Sequence, residues 1–106
     1  MTLRPRHGDV WWAEALDAGR RPVLVLTRDR AIDVLRTVVV APLTRTIRSS
    51  PSELQLGRAE GLSVECVASF DNLRTFPKSL LVERIGQLGP DRLHELCDVL
   101  HAAFDC

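Results

Sequence analysis

No stretch of 18 apolar residues runs through this 106-residue sequence, which excludes a membrane-spanning helix. Residues 1–9 lack the apolar segment of a secretory signal, so none is expected. The three cysteines, Cys66, Cys97 and Cys106, are odd in number, and none belongs to a C-x-x-C pair. Reduced thiols in a cytoplasmic protein are the expectation, with a Cys97–Cys106 disulfide as the minor alternative. Repeats, low-complexity tracts and linkers are absent too. At this length the chain reads as a single domain, 1–106, able to bury a core without staples.

Net charge is also lacking: 14 basic residues face 14 acidic ones, which argues against a nucleic-acid binder. The distribution argues the other way. Residues 1–50 hold nine Arg and five acidic side chains, a surplus of four positive charges, and residues 51–106 reverse it. Thirteen of the 14 basic residues are Arg, whose planar fork suits phosphate. A GC-rich codon bias would account for that excess by itself, so composition leaves the question open.

Several chemistries lack their residues. His94 and His101 stand seven apart, about 10 Å along a helix, and no cysteine lies at zinc-ligand spacing, so no metal is expected. There is no G-x-S-x-G, and Cys66 alternates with core residues, which marks it as buried filler. No glycine-rich phosphate loop is present. Covalent hydrolysis and nucleotide-triphosphate binding are therefore unsupported, and no cofactor is expected.

What is there is a set of short apolar runs. RRPVLVL (20–26) and VVVAPLT (38–44) read as buried strands, each bordered by arginines: Arg20 and Arg21 at one, Arg45 and Arg48 at the other. The strands expected are 10–14, 22–27, 37–43, 53–56 at an edge, 63–70, 73–76 and 82–88. Residues 16–19 (LDAG) read as a tight turn, 28–35 as a crossover of weak helical character, and 46–52 as a loop. In 63–70, Val64, Cys66, Ala68 and Phe70 share one face, and Glu65, Val67 and Ser69 the other. A terminal helix over 90–104 begins with Pro90 at its first turn and carries the stripe Leu93, Leu96, Cys97, Leu100 and Phe104. The fold class is mainly β with a C-terminal helix (α+β), a small curved sheet or barrel.

The chemistry these residues leave open is non-covalent phosphate chemistry. Cleaving RNA through its own 2′-hydroxyl needs a proton acceptor, a cation for the crowded phosphorane and a donor to the leaving oxygen. Arg21, Thr44 and Arg45 offer charge and hydrogen bonds, and Asp71, at the polar end of 63–70, offers an acceptor.

GDVWW (8–12), RPVLVL (21–26), VVVAPLT (38–44), GLSVECVASFDNLRT (61–75) and ERIGQL (83–88), in that order, resemble the MazF/PemK toxins of toxin–antitoxin pairs. The resemblance spans nearly the whole chain. It implies an SH3-like, PemK/CcdB-type barrel, a homodimer, and a metal-independent endoribonuclease that cuts single-stranded messenger RNA at short sequences. The implied products carry a 2′,3′-cyclic phosphate and a 5′-hydroxyl, and the implied partner is a cognate antitoxin with a disordered tail. By resemblance the catalytic residues are Arg21, Thr44 and Asp71, with charge stabilisation as the main role of Arg21. The expected RNA-binding residues are Arg20, Arg45, Arg48, Arg74 and Asn72, the last reading a base edge. Trp11 and Trp12 are adjacent and point to opposite faces. One belongs to the core; the other can stack on a base or cover a dimer seam, and Trp11 is the RNA candidate. The sequence departs from the family in its short 16–20 loop, in Asn72 for the usual Gln, and in Ser69 where the PemK branch has a second catalytic Arg. Two rival readings remain: a CcdB-like, non-catalytic inhibitor of DNA gyrase, which shares this barrel, and a degenerate module that binds RNA or antitoxin without cutting.

Overall fold

The computed structural model describes residues 4–15 and 19–105. Of the sequence expectations, Leu16, Asp17 and Ala18 of the tight turn and the Cys106 half of the disulfide alternative lie outside the described residues. In chain order the elements are β1 (Asp9–Ala15), β2 (Gly19–Val25), α1 (Asp29–Val34), β3 (Thr37–Thr44), β4 (Glu53–Leu56), β5 (Cys66–Ser69), β6 (Arg74–Pro77), β7 (Leu81–Gln87) and α2 (Pro90–Phe104). Short 3₁₀ turns occupy Arg58–Glu60 and Lys78–Leu80. The fold is mainly β with a C-terminal helix. Among the described residues no helix is long and apolar enough to cross a membrane.

The strands form one antiparallel path, β4-β5-β3-β2-β1-β7, with β6 paired to β3 off that path. Strand β3 is the spine. One edge pairs with β2, while the other is shared by β6 along Thr37–Val40 and by β5 at Leu43 and Thr44. Pro42 lacks an N–H and is disfavoured inside a central strand. It falls where the partner changes from β6 to β5, so the sheet bends there without losing a ladder bond. The bend separates two cores. Val10, Leu24, Ala41, Leu43, Ala68 and Phe70 pack in one; Trp11, Val23, Val25, Val38 and Val40 pack in the other. Alternate residues of β1, β2 and β3 thus serve opposite cores, which is why these strands are apolar on both faces.

Two expectations need correction. The alternating run 63–70 becomes a strand only over Cys66–Ser69; Val64 is exposed, and Val67 on the supposed polar face is fully buried. Consecutive residues Cys66, Val67 and Ala68 are all buried, so both faces of β5 are covered. In α2 the buried residue is Leu96, with Leu93, Val99, Leu100 and Ala103 packed beside it. Cys97 and Phe104 are exposed. The helix docks by a face rotated from the expected stripe toward Val99 and Ala103.

Packing closes what hydrogen bonds leave open between β7 and the 58–60 turn. The buried Glu60 carboxylate accepts from the Gly57 amide (2.7 Å) and pairs with Arg92 of α2 (3.2 Å). The Glu60 carbonyl lies against Gly86 of β7, where a side chain would collide with it, and Gly61 sits against the Ile85 carbonyl with φ +91°. Only glycine combines that conformation with that approach. Gly86→Ala should therefore cost about 1–3 kcal/mol through forced backbone displacement. A lower urea midpoint with an unchanged slope is the expected reading; a wild-type midpoint would show that the contact yields freely.

Candidate active site

Strands β2 and β3 pair with Val23 opposite Pro42, Leu24 opposite Ala41 and Val25 opposite Val40. Arg21 lies two residues before Val23, and Thr44, the last residue of β3, lies two after Pro42, so both stand at the open end of this ladder. Both residues line an open cleft of about 870 Å³. Leu43 and Cys66 contribute apolar lining, and Ile85 with the 61–64 segment supplies a wall fixed by the Gly61–Ile85 contact.

Arg20 and Arg45 line the same cleft. Among the described residues no carboxylate lines it, and no hydrogen bond or ion pair engages the guanidiniums of Arg21 or Arg45. Two cations without counter-ions at the mouth of a cleft favour an anion. The Thr44 hydroxyl oxygen accepts from the Thr46 amide (3.1 Å), which leaves its hydrogen free to donate. Arg20 differs: its Nη2 donates to Glu83 (2.9 Å) and its guanidinium lies 5.6 Å from the Trp12 ring centroid. Burial, then Glu65 and then Glu60, push the Cys66 thiol up, so it is no nucleophile at neutral pH.

The cleft thus gathers Arg20, Arg21, Thr44 and Arg45 and leaves other expected residues outside. Trp11 corrects the sequence reading. It is 4% exposed, belongs to the core, and donates Nε1–H to the buried Asp9 carboxylate (3.1 Å). Its neighbour Trp12 lines the cleft instead. Both faces of β1 carry apolar residues, so alternation separates the two tryptophans without saying which is inward. Arg48 lies on the 45–52 loop, where its amide donates to Glu53 (3.0 Å). Asp71 is exposed, and its Oδ2 accepts from the buried Ser52 hydroxyl (2.5 Å). The Asn72 amide donates to Ser69 (2.9 Å), and Arg74 opens β6 opposite Val40. Thr44 pairs with Val67, and Asp71 lies four residues further on, in the turn that follows β5. Within one chain, Arg48, Asp71, Asn72 and Arg74 do not line the cleft.

Sequence reasoning missed Trp12, Glu83 and the 61–64 wall. Glu83 stands opposite Trp12 across β1 and β7, a pairing that depends on two bulges in that register. His94 and His101 are exposed on α2, and no group of three or more His, Cys, Asp or Glu among the described residues could hold a metal. A smaller recess of about 420 Å³ is lined by Gly57, Glu60, Glu65, Arg92 and Glu95. Of its two cations, Arg58 and Arg92, the second is engaged by Glu60, Glu95 and the Gln55 carbonyl.

Comparison with known proteins places this geometry in context. The family model described as PemK-like, MazF-like toxin of type II toxin–antitoxin system matches residues 6–104. The probable endoribonuclease MazF2 of Mycobacterium tuberculosis is 47% identical over 102 residues, covering 95% of this chain and 99% of the relative. The solved structure of the M. tuberculosis toxin MazF-mt6 aligns with a TM-score of 0.84 at 36% identity, over 92% of this chain and 96% of that one. A mycobacterial endoribonuclease solved in complex with its cognate antitoxin aligns with a TM-score of 0.84 at 26% identity, over 95% of each chain.

The two tryptophans should separate by stability. Trp11→Ala removes a buried indole and one of the donors to Asp9, which keeps the Arg6 amide and Arg84, at a cost of about 3–5 kcal/mol. Trp12→Ala, on the cleft wall, should cost less than about 2 kcal/mol. Urea titration of both variants checks this, and equal costs would contradict the assignment of Trp11 to the core and Trp12 to the cleft.

Proposed function

This chain belongs to the family of PemK-like, MazF-like toxins of type II toxin–antitoxin systems, and we propose that it is such a toxin. It cleaves single-stranded messenger RNA at short sequences without a metal ion, leaving a 2′,3′-cyclic phosphate and a 5′-hydroxyl. The whole chain, 1–106, serves as one toxin domain. The observation that carries this reading is the cleft at the open end of the β2–β3 ladder, lined both by the Arg21 guanidinium, unpaired among the described residues, and by the Thr44 hydroxyl. A CcdB-like gyrase inhibitor needs no such pair, and relatives at this identity are named endoribonucleases.

In the proposed reaction the substrate's 2′-oxygen attacks the adjacent phosphorus and the 5′-oxygen leaves. Negative charge grows on the phosphorane, where Arg21 stabilises it with its fork of N–H donors. The Thr44 hydroxyl hydrogen-bonds a phosphoryl or leaving oxygen, and the leaving 5′-oxygen takes its proton from solvent. Arg45 and Arg20 hold the flanking strand. With no carboxylate lining the cleft among the described residues, the 2′-proton passes to solvent, and the rate should rise with hydroxide concentration. Asp71, held by Ser52, anchors the β5–β6 turn instead of acting as the base. Arg48, Asn72 and Arg74 act on RNA beyond the cleft, reached along the sheet or from a second copy.

The partners are single-stranded RNA, an antitoxin whose disordered tail covers the same cleft, and a second copy in a homodimer. The structure of a similar mycobacterial endoribonuclease in complex with its cognate antitoxin supports the antitoxin pairing. Exposed Val34, Leu35 and Val82 supply apolar surface for a dimer seam. Action on messenger RNA places the protein in the cytoplasm.

Cleavage of a long single-stranded RNA should proceed fully in EDTA, and an all-deoxy strand should stay intact. Loss of activity in EDTA, or cutting of the deoxy strand, overturns the mechanism. Arg21→Ala should slow cleavage by about 10²–10³ with little change in stability, since the residue is exposed. Thr44→Ala should act in the same direction, more mildly. Asp71→Asn keeps an acceptor for Ser52 and should retain most of the rate. A collapse in Asp71→Asn comparable to that in Arg21→Ala would restore Asp71 as the base.

A further inference from the structure

We propose that Arg20, Trp12 and Glu83 form a stacking shelf that receives one unpaired base beside the scissile phosphate; the proposal rests on the nuclease reading above. Three adjacent strands supply it. Trp12 on β1 stands opposite Pro22 on β2 and opposite Glu83 on β7. Arg20 on β2 reaches over the indole, 5.6 Å from its centroid, to donate to the Glu83 carboxylate at 2.9 Å. All three are at least partly open to solvent, and Trp12 and Arg20 line the cleft.

The charge pattern separates this residue from its neighbours. Arg21 and Arg45 have no counter-ion among the described residues and suit phosphate. Arg20 already spends its charge on Glu83 and is held in place over an aromatic face. A guanidinium so held is a poor phosphate contact and a good platform, because unpaired bases stack on aromatic rings and on Arg planes. The exposed pair adds little to folding stability, so its orientation of the guanidinium is its more telling consequence. Arg20 and Arg21 line the same cleft, so a base stacked on Arg20 lies near the phosphate that Arg21 contacts. A shelf without hydrogen-bond readout grades bases by stacking area, purine above pyrimidine.

The test uses an RNA made uncleavable by 2′-deoxy substitution at the cleavage nucleotide, with an abasic nucleotide walked through it. Affinities are measured for wild type, Trp12→Ala and Arg20→Lys. In wild type, the abasic position adjoining the scissile phosphate should weaken binding about tenfold to a hundredfold. In both variants that penalty should fall to less than about threefold. Arg20→Lys keeps the charge and loses the planar platform, so its overall salt slope should match wild type. A penalty that survives in both variants, or a flat abasic scan in wild type, overturns the shelf while leaving the nuclease reading intact. Failure of wild type to bind or cut the undamaged RNA overturns both. Should Trp12→Ala misfold, Arg20→Lys decides alone, since Arg20 is exposed and its replacement opens no cavity.

Discussion

The register between β2 and β3 is the constraint on which the rest depends. Side chains alternate along a strand, so a slip of one residue would exchange the faces of every residue on β2. Val23 and Val25 would leave one core and Leu24 the other. The same slip would carry Arg21 away from Thr44. Core packing and site geometry are therefore set by one ladder, and the apolar residues that fix the ladder also position the polar pair at its end. The site needs no scaffold of its own.

The second organising feature is the change of partner along β3. Pairing with β6 and then with β5 lets one strand serve two cores and turn the sheet at Pro42. The open end of the curve is closed by the glycine contacts between the 58–60 turn and β7 and by α2. The wall of the cleft is built from that closure. The turn carrying Asp71 and Asn72 lies further along the sheet, tied to the β3–β4 loop by Ser52.

Much of this was legible in the residues. Continuous apolar runs marked β2 and β3 as central, and the arginines and threonine at their ends marked the cleft. Pro90 fixed the start of α2. What alternation could not supply was sidedness. A strand buried on both faces carries apolar residues at every position, so Trp11 and Trp12 were interchangeable until the cores were seen. Residues 63–70 alternated well, yet the strand was half that length, and its two faces bury Val67 and Ala68 equally. Glu83 gave no signal at all. Its place beside Arg20 comes from the bulged β1–β7 register, a tertiary property.

The most direct measurement is a structure of this protein with an RNA that carries 2′-deoxy at the cleavage nucleotide. The account places the scissile phosphate in the cleft at the end of β2 and β3. Its oxygens should lie within hydrogen-bond distance, about 2.7–3.2 Å, of the Arg21 guanidinium and the Thr44 hydroxyl. A scissile phosphate lodged beside Asp71, or anywhere beyond the reach of Arg21, contradicts it.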